Sequence, residues 1–230
     1  MAEIAVALDL PSGEAALPLV DAVGTACAWY KVGSPLYVAD GPAVVRALLA
    51  RGKRVFLDLK WHDIPHAVSA AVAVASRLGV SLATVHVAGG PRMLEAAVAE
   101  RSGSLRLVGV GVLTSLGAAE FAAILDRPVA DVGVEQERLA RTALGCGLDW
   151  FVTAVAEAPR LRRLAGPRAL LVTPGIRRAS DAEGDQRRTA TPAEAVRAGA
   201  DLLVVGRPVT ASADPAAALG ALLGEMERAT

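Results

Sequence analysis

The chain has 230 residues, 53% of them hydrophobic and 21% charged, which is enough apolar material for a full core and too much for a disordered segment. Its 24 basic and 24 acidic residues cancel, so no net field draws it to nucleic acid or to an anionic membrane. Arginine dominates the basic set, and lysine occurs only at Lys31, Lys53 and Lys60.

The first residues, MAEIAVALDLP, carry Glu3 and Asp9 and no basic stretch ahead of an apolar one, so they do not read as a secretory signal. Charges interrupt even the alanine-rich stretches before they reach bilayer length. A cytoplasmic protein is expected, with no membrane or nucleic-acid partner. Cys27 and Cys146 form no CxxC pair and read as two buried thiols in a reducing compartment.

In chain order, strand-like runs fall at 4–9, 28–33, 54–59, 82–87, 106–113, 149–155, 168–175 and 201–207. Between them lie helix-like segments such as GPAVVRALLARG and AVSAAVAVASRLG, with Gly52 and Gly79 as C-terminal caps. Eight such alternations predict parallel β/α units closing into a single α/β domain over 1–230, a (β/α)8 TIM barrel. An open doubly wound sheet is the alternative. The long polar stretch 174–192, PGIRRASDAEGDQRRTATP, reads as a lid loop following the seventh strand.

Chemistry in such barrels sits at the carboxyl ends of the strands. Asp9, Lys31, Asp58 with Lys60, His86, Thr114, Arg177 and Arg207 all fall there. Strand alternation places Asp58 and Lys60 on one face, with Leu57 and Leu59 toward the helices. Lys31, ending the neighbouring strand, comes within reach of Asp58. A structural ion pair is the bland reading of Asp58 and Lys60, but buried pairs are weak evidence for stability. Asp63, just before Ile64-Pro65, has a bland reading too, as the cap of the next helix. Gly206 and Arg207 follow the eighth strand, where barrels bind phosphate. Arg177 and Gln186 could close over the same anion, whereas Arg178, Arg187 and Arg188 read as solvated.

These residues resemble the orotidine 5′-phosphate decarboxylase family. DLKWHDIP at 58–65 looks like its DxKxxDIP signature. ALD at 7–9, YKVG at 30–33, VHVAGG at 85–90, VLTS at 112–115, PGIR at 174–177, GDQRR at 184–188 and VGRPVT at 205–210 follow in order. The resemblance implies a barrel that works as a homodimer with composite sites and needs no metal or organic cofactor. It implies Lys60 as the acid that protonates C6 of the pyrimidine and Asp58 beside the departing carboxylate. Asp63 would be lent to the neighbouring site, completing a Lys31–Asp58–Lys60–Asp63 array. Asp9 would bind ribose, Thr114 and Ser115 the pyrimidine, and Arg177, Gln186, Gly206 and Arg207 the 5′-phosphate, with Ile64 and Pro174 also contacting substrate.

The chain departs from the family pattern in places. His66-Ala67 stands where Asn-Thr is usual, Trp61 where Phe is typical, and Ala154 where a serine is common. His66 reads as a surface or helix-start residue, and His62 and His86 read as structural. Sugar-phosphate relatives of the same superfamily also carry DxK but use Mg²⁺ and a further acid at the second strand's end. Here that end is KVGSP. A non-catalytic nucleotide-binding barrel is the remaining alternative.

Overall fold

The computed structural model describes residues 2–178 and 189–229. Eight parallel strands close into a barrel in sequence order. They are β1 (Glu3–Ala7), β2 (Trp29–Gly33), β3 (Arg54–Trp61), β4 (Leu82–His86), β5 (Arg106–Val110), β6 (Trp150–Val152), β7 (Leu170–Thr173) and β8 (Leu202–Val205). The open sheet is thereby excluded: β1 pairs with both β2 and β8.

Side-chain alternation sorts the apolar residues into two layers. Ala5, Ala7, Trp29, Phe56, Leu82, Val108, Val172, Leu202 and Val204 fill the barrel interior. Val6, Tyr30, Val32, Val55 and Leu57 point outward and pack with helix residues such as Val20, Leu48 and Val72. Proline stands in the first turn of helices Pro42–Ala50, Pro65–Leu78, Pro91–Glu100 and Pro215–Glu227, where its missing N–H costs nothing. Gly79 ends Pro65–Leu78 in the left-handed conformation, as expected. Helix Pro42–Ala50 is instead capped by Arg51, and Gly52 follows with φ +71°.

The amino-terminal rim is stapled by polar groups. Trp29 Nε1 donates to Glu3 Oε2 at 3.0 Å, Arg54 pairs with Glu3, and the Arg54 guanidinium lies 4.3 Å over the Trp29 ring. Arg162 ties helix Ala158–Ala165 to the starts of β7 and β8. It donates to Gly166 O at 3.2 Å and to Gly199 O at 2.9 Å, and pairs with Asp201. The Asp201 carboxylate also accepts from Leu171 N–H at 2.7 Å.

Four strands are shorter than their apolar runs predict by three residues or more. β5 stops at Val110, β6 spans only Trp150–Val152, β7 runs from Leu170 to Thr173, and β8 from Leu202 to Val205. After Val110 the chain leaves the sheet, and Val112 N–H donates at 2.8 Å to the buried Gln136 rather than to a neighbouring strand. β3 runs longer than expected, through a register shift against β4 between Leu57 and Trp61.

Candidate active site

A cavity of about 740 Å³ opens at the carboxyl ends of the strands. Its floor is apolar, formed by Ala7, Phe56, Val110, Val152, Val172 and Val204. Charge enters at the next level up. Lys31 on β2 and Asp58 on β3 project inward above Trp29 and Phe56, each two residues further along its strand. Lys31 Nζ donates to Asp9 Oδ1 at 3.0 Å and lies 3.5 Å from Asp58 Oδ2. Lys60 Nζ donates to the other oxygen of Asp58 at 2.9 Å. Asp58 therefore stands between two ammonium groups.

Gly33 makes this approach possible. A Cβ there would fall 2.6 Å from Asp9 Oδ1 and 3.0 Å from Lys31 Nζ. Burial alone pushes the Asp58 carboxyl up, but the Lys31 and Lys60 charges, with hydrogen bonds from Lys60 and Thr84, outweigh it and hold the group below the usual carboxylate range.

The Asp58–Lys60 contact does not come from simple alternation, which corrects the expectation. Between Leu57↔Ala83 and Trp61↔Val85, β3 advances four residues while β4 advances two. The surplus is a bulge in which Lys60 takes φ +50°, a left-handed conformation that costs an L-residue roughly 1–2 kcal/mol. Thr84, fully buried on β4, fastens the bulge. Its Oγ1 accepts from Lys60 N–H at 2.8 Å and donates to Asp58 Oδ1 at 3.0 Å. Sequence reasoning missed Thr84, because its role depends on an irregularity in the adjacent strand.

The opposite wall carries Thr114 and Ser115 after β5, Pro174 and Arg177 after β7, and Gly206 and Arg207 after β8. Arg177 N–H donates to Ala190 O at 3.0 Å, and Ala190 N–H to Gly175 O at 3.2 Å, joining the two chain segments on that side. Gln136, also missed, holds the Thr114 segment from behind, since its Nε2 donates to Val152 O at 3.0 Å while its Oε1 accepts from Val112 N–H. Gly111 leaves room for that amide: a Cβ there would lie 2.3 Å from Gln136 Oε1.

Of the expected site residues that are described, Ile64 and Asp63 are not brought into the cavity. Gln186 lies outside the described residues, as does most of the stretch read as a lid. Ile64 is exposed on the surface. Asp63 forms no ion pair among the described residues and accepts from Ile64 N–H at 2.6 Å. Nor is it a cap, for helix Pro65–Leu78 begins at Ile64 without a side-chain cap bond. Asp63 lines a shallow hollow beside the cavity with Lys60, His62 and Ala67. His62 stacks on His86 with ring centroids 5.1 Å apart. Burial, followed by the charges of His62 and Lys60, pushes His86 below its ordinary value. Among the described residues, no group of three or more His, Cys, Asp or Glu side chains could hold a metal ion, and no helix is long and apolar enough to cross a membrane.

Comparison with known proteins agrees with this architecture. The profile of the orotidine 5′-phosphate decarboxylase / HUMPS family matches residues 2–222. The orotidine 5′-phosphate decarboxylase of Anaeromyxobacter sp. (strain K) is 48% identical over 219 residues, covering 95% of this chain and 96% of that protein. The enzyme of the same name from Nitratidesulfovibrio vulgaris (strain DP4) is 45% identical over 234 residues, covering 98% of each. The crystal structure of orotidine 5′-phosphate decarboxylase from Lactobacillus acidophilus superposes with a TM-score of 0.85 at 30% identity, covering 98% of this chain and 99% of that one. With its fold, its ordered motifs and nearly its whole length accounted for, the chain belongs to the orotidine 5′-phosphate decarboxylase family of enzymes.

Proposed function

We propose that the chain converts orotidine 5′-phosphate to UMP and CO₂ in de novo pyrimidine biosynthesis, with Lys60 as the proton donor. The observation that carries the reading is Asp58 held between Lys31 and Lys60 at the mouth of the barrel, opposite Thr114, Arg177 and Arg207. Cleavage of the C6–carboxyl bond leaves an electron pair on a vinylic carbon, with no adjacent carbonyl to spread it. Without a cofactor the charge is stabilised by fixed groups and by protonation, toward the upper part of the ~8–23 kcal/mol that enzymes supply. Lys60 Nζ gives the proton to C6 as CO₂ departs, and solvent later restores it. Asp58, kept ionised, fixes the ammonium and lies beside the leaving carboxylate. Asp9 takes the ribose hydroxyls, Thr114 and Ser115 the pyrimidine, and Arg177, Gln186, Gly206 and Arg207 the phosphate. Binding of that remote phosphate is then available to orient the reacting end.

The reading includes a cytoplasmic homodimer in which Asp63 of one copy completes the other's array. Asp63 without an ion pair among the described residues, exposed Ile64 beside it and the hollow walled by Lys60 support this. Two lysines beside Asp58, in place of a second acid, favour the decarboxylase over the Mg²⁺-using sugar-phosphate relatives.

The test is loss of orotidine 5′-phosphate absorbance in excess EDTA. Turnover is expected, and Lys60→Ala should abolish it while UMP still binds. A folded protein without turnover, or turnover that disappears with chelator, would sink the proposal.

A further inference from the structure

The hydroxyl of Thr84 joins two elements that the reaction as proposed requires to be in register. A hydroxyl has one proton to give. Because Oγ1 faces the Lys60 N–H at 2.8 Å, that proton goes to Asp58 Oδ1 at 3.0 Å. The direction of the relay, backbone N–H to hydroxyl to carboxylate, is fixed by what stands at each end. The N–H of Lys60 falls inside the bulge, where β3 and β4 are out of step, and a side chain takes the place of the missing ladder acceptor.

We infer that Thr84 is a positioning residue of the reaction, one hydroxyl setting both the left-handed backbone at Lys60 and the carboxylate that its ammonium meets. The inference rests on the proposed roles of Lys60 and Asp58. Among the described residues, the charged groups that face Asp58 are Lys31 from β2 and Lys60 from its own strand, and Thr84 is the neutral donor beside them. Without it, the bulge loses its acceptor and the carboxylate is free to rotate away from Lys60. The rival reading is a buried threonine that merely fills its strand position.

Thr84→Val keeps the shape and removes the hydroxyl. The expected result is a fall in kcat for orotidine 5′-phosphate of about ten- to a hundredfold, with UMP affinity within about threefold of the parent. The acidic limb of the kcat profile should move to higher pH, since Asp58 loses one of the bonds that keep it ionised. Thr84→Ser should recover most of kcat. The inference is overturned if Thr84→Val keeps kcat within about twofold, or if kcat and UMP affinity fall together with the acidic limb unmoved. Should Thr84→Val fail to fold, Thr84→Ser and Thr84→Ala carry the same comparison, and an equal loss in both overturns it. Lys60→Ala measured alongside separates the two levels. Turnover in that variant removes the proposed array, whereas its loss beside an unaffected Thr84→Val removes only the role of Thr84.

Discussion

Lys31 and Asp58 face each other across β2 and β3 with Nζ 3.5 Å from Oδ2, their side chains only 10% and 13% exposed. Asp58 is held below the usual carboxylate range in the folded chain, so its ionised form favours folding above its unfolded value of about 3.9. That contribution fades as the pH drops through the lower folded value. In Asp58→Asn the fall of urea unfolding free energy between about pH 5 and 2 should therefore be shallower than in the parent. An unchanged slope would show that Asp58 is not held ionised in this way.

Gly33→Ala tests the crowding beside that pair. The new Cβ falls on Asp9 Oδ1 and against Lys31 Nζ, and neither can shift without loosening the array. Turnover should fall at least about tenfold while the melting temperature changes by only a few degrees. Activity equal to the parent's would mean that the Asp9–Lys31 contact is dispensable.

Gln136 is nearly fully buried and spends both ends of its amide on backbone, at Val112 and Val152. Gln136→Leu strands a buried N–H and a carbonyl, a loss of about 1–3 kcal/mol in denaturant unfolding. UMP should bind more weakly, since Thr114 and Ser115 follow directly on the released segment. Gln136→Glu keeps the acceptor for Val112 and should be the milder change in binding.

Arg162 gives a contrasting outcome, because it works beneath β7 and β8, away from the cavity. Arg162→Ala should lower stability by roughly 2–4 kcal/mol with kcat unchanged at a temperature where the variant is folded. Arg162→Lys should restore little, since an ammonium does not reproduce the fork that reaches two loops at once. A large drop in kcat for either variant would contradict this division of labour.

Subunit mixing addresses Asp63. Asp63→Ala and Lys60→Ala are each expected to be inactive alone, and mixed subunits should regain up to about a quarter of parental activity per site, from sites carrying both native residues. Mixtures that stay inactive under conditions of proven exchange would place Asp63 within its own chain's site, or outside any site.

Much of this was legible in the residues. Eight apolar runs between helix-like segments gave the closed barrel, because each strand is buried on both faces and reads as a nearly continuous apolar stretch. The same rule overran β5: GVL after Val110 is equally apolar, but Val112 and Leu113 line the cavity and the Val112 N–H donates to Gln136. Residue types at 58 and 60 marked the charged pair, while the means of bringing them together did not show. A bulge leaves no trace in hydrophobic periodicity when a lysine, not a glycine, takes the left-handed position. Thr84 and Gln136 were invisible for a related reason, since each acts on backbone distant in sequence.

The apolar floor under Asp58 has one more consequence. Phe56, Val172 and Val204 seal the barrel below the charges, and the Glu3–Trp29–Arg54 staple closes the far rim. Among the described residues the array is therefore reached from the carboxyl-end side and not through the barrel. In the proposed reaction, the proton that recharges Lys60 would come from the same side of the molecule as substrate and product. Recharging and product release would then be events on one face.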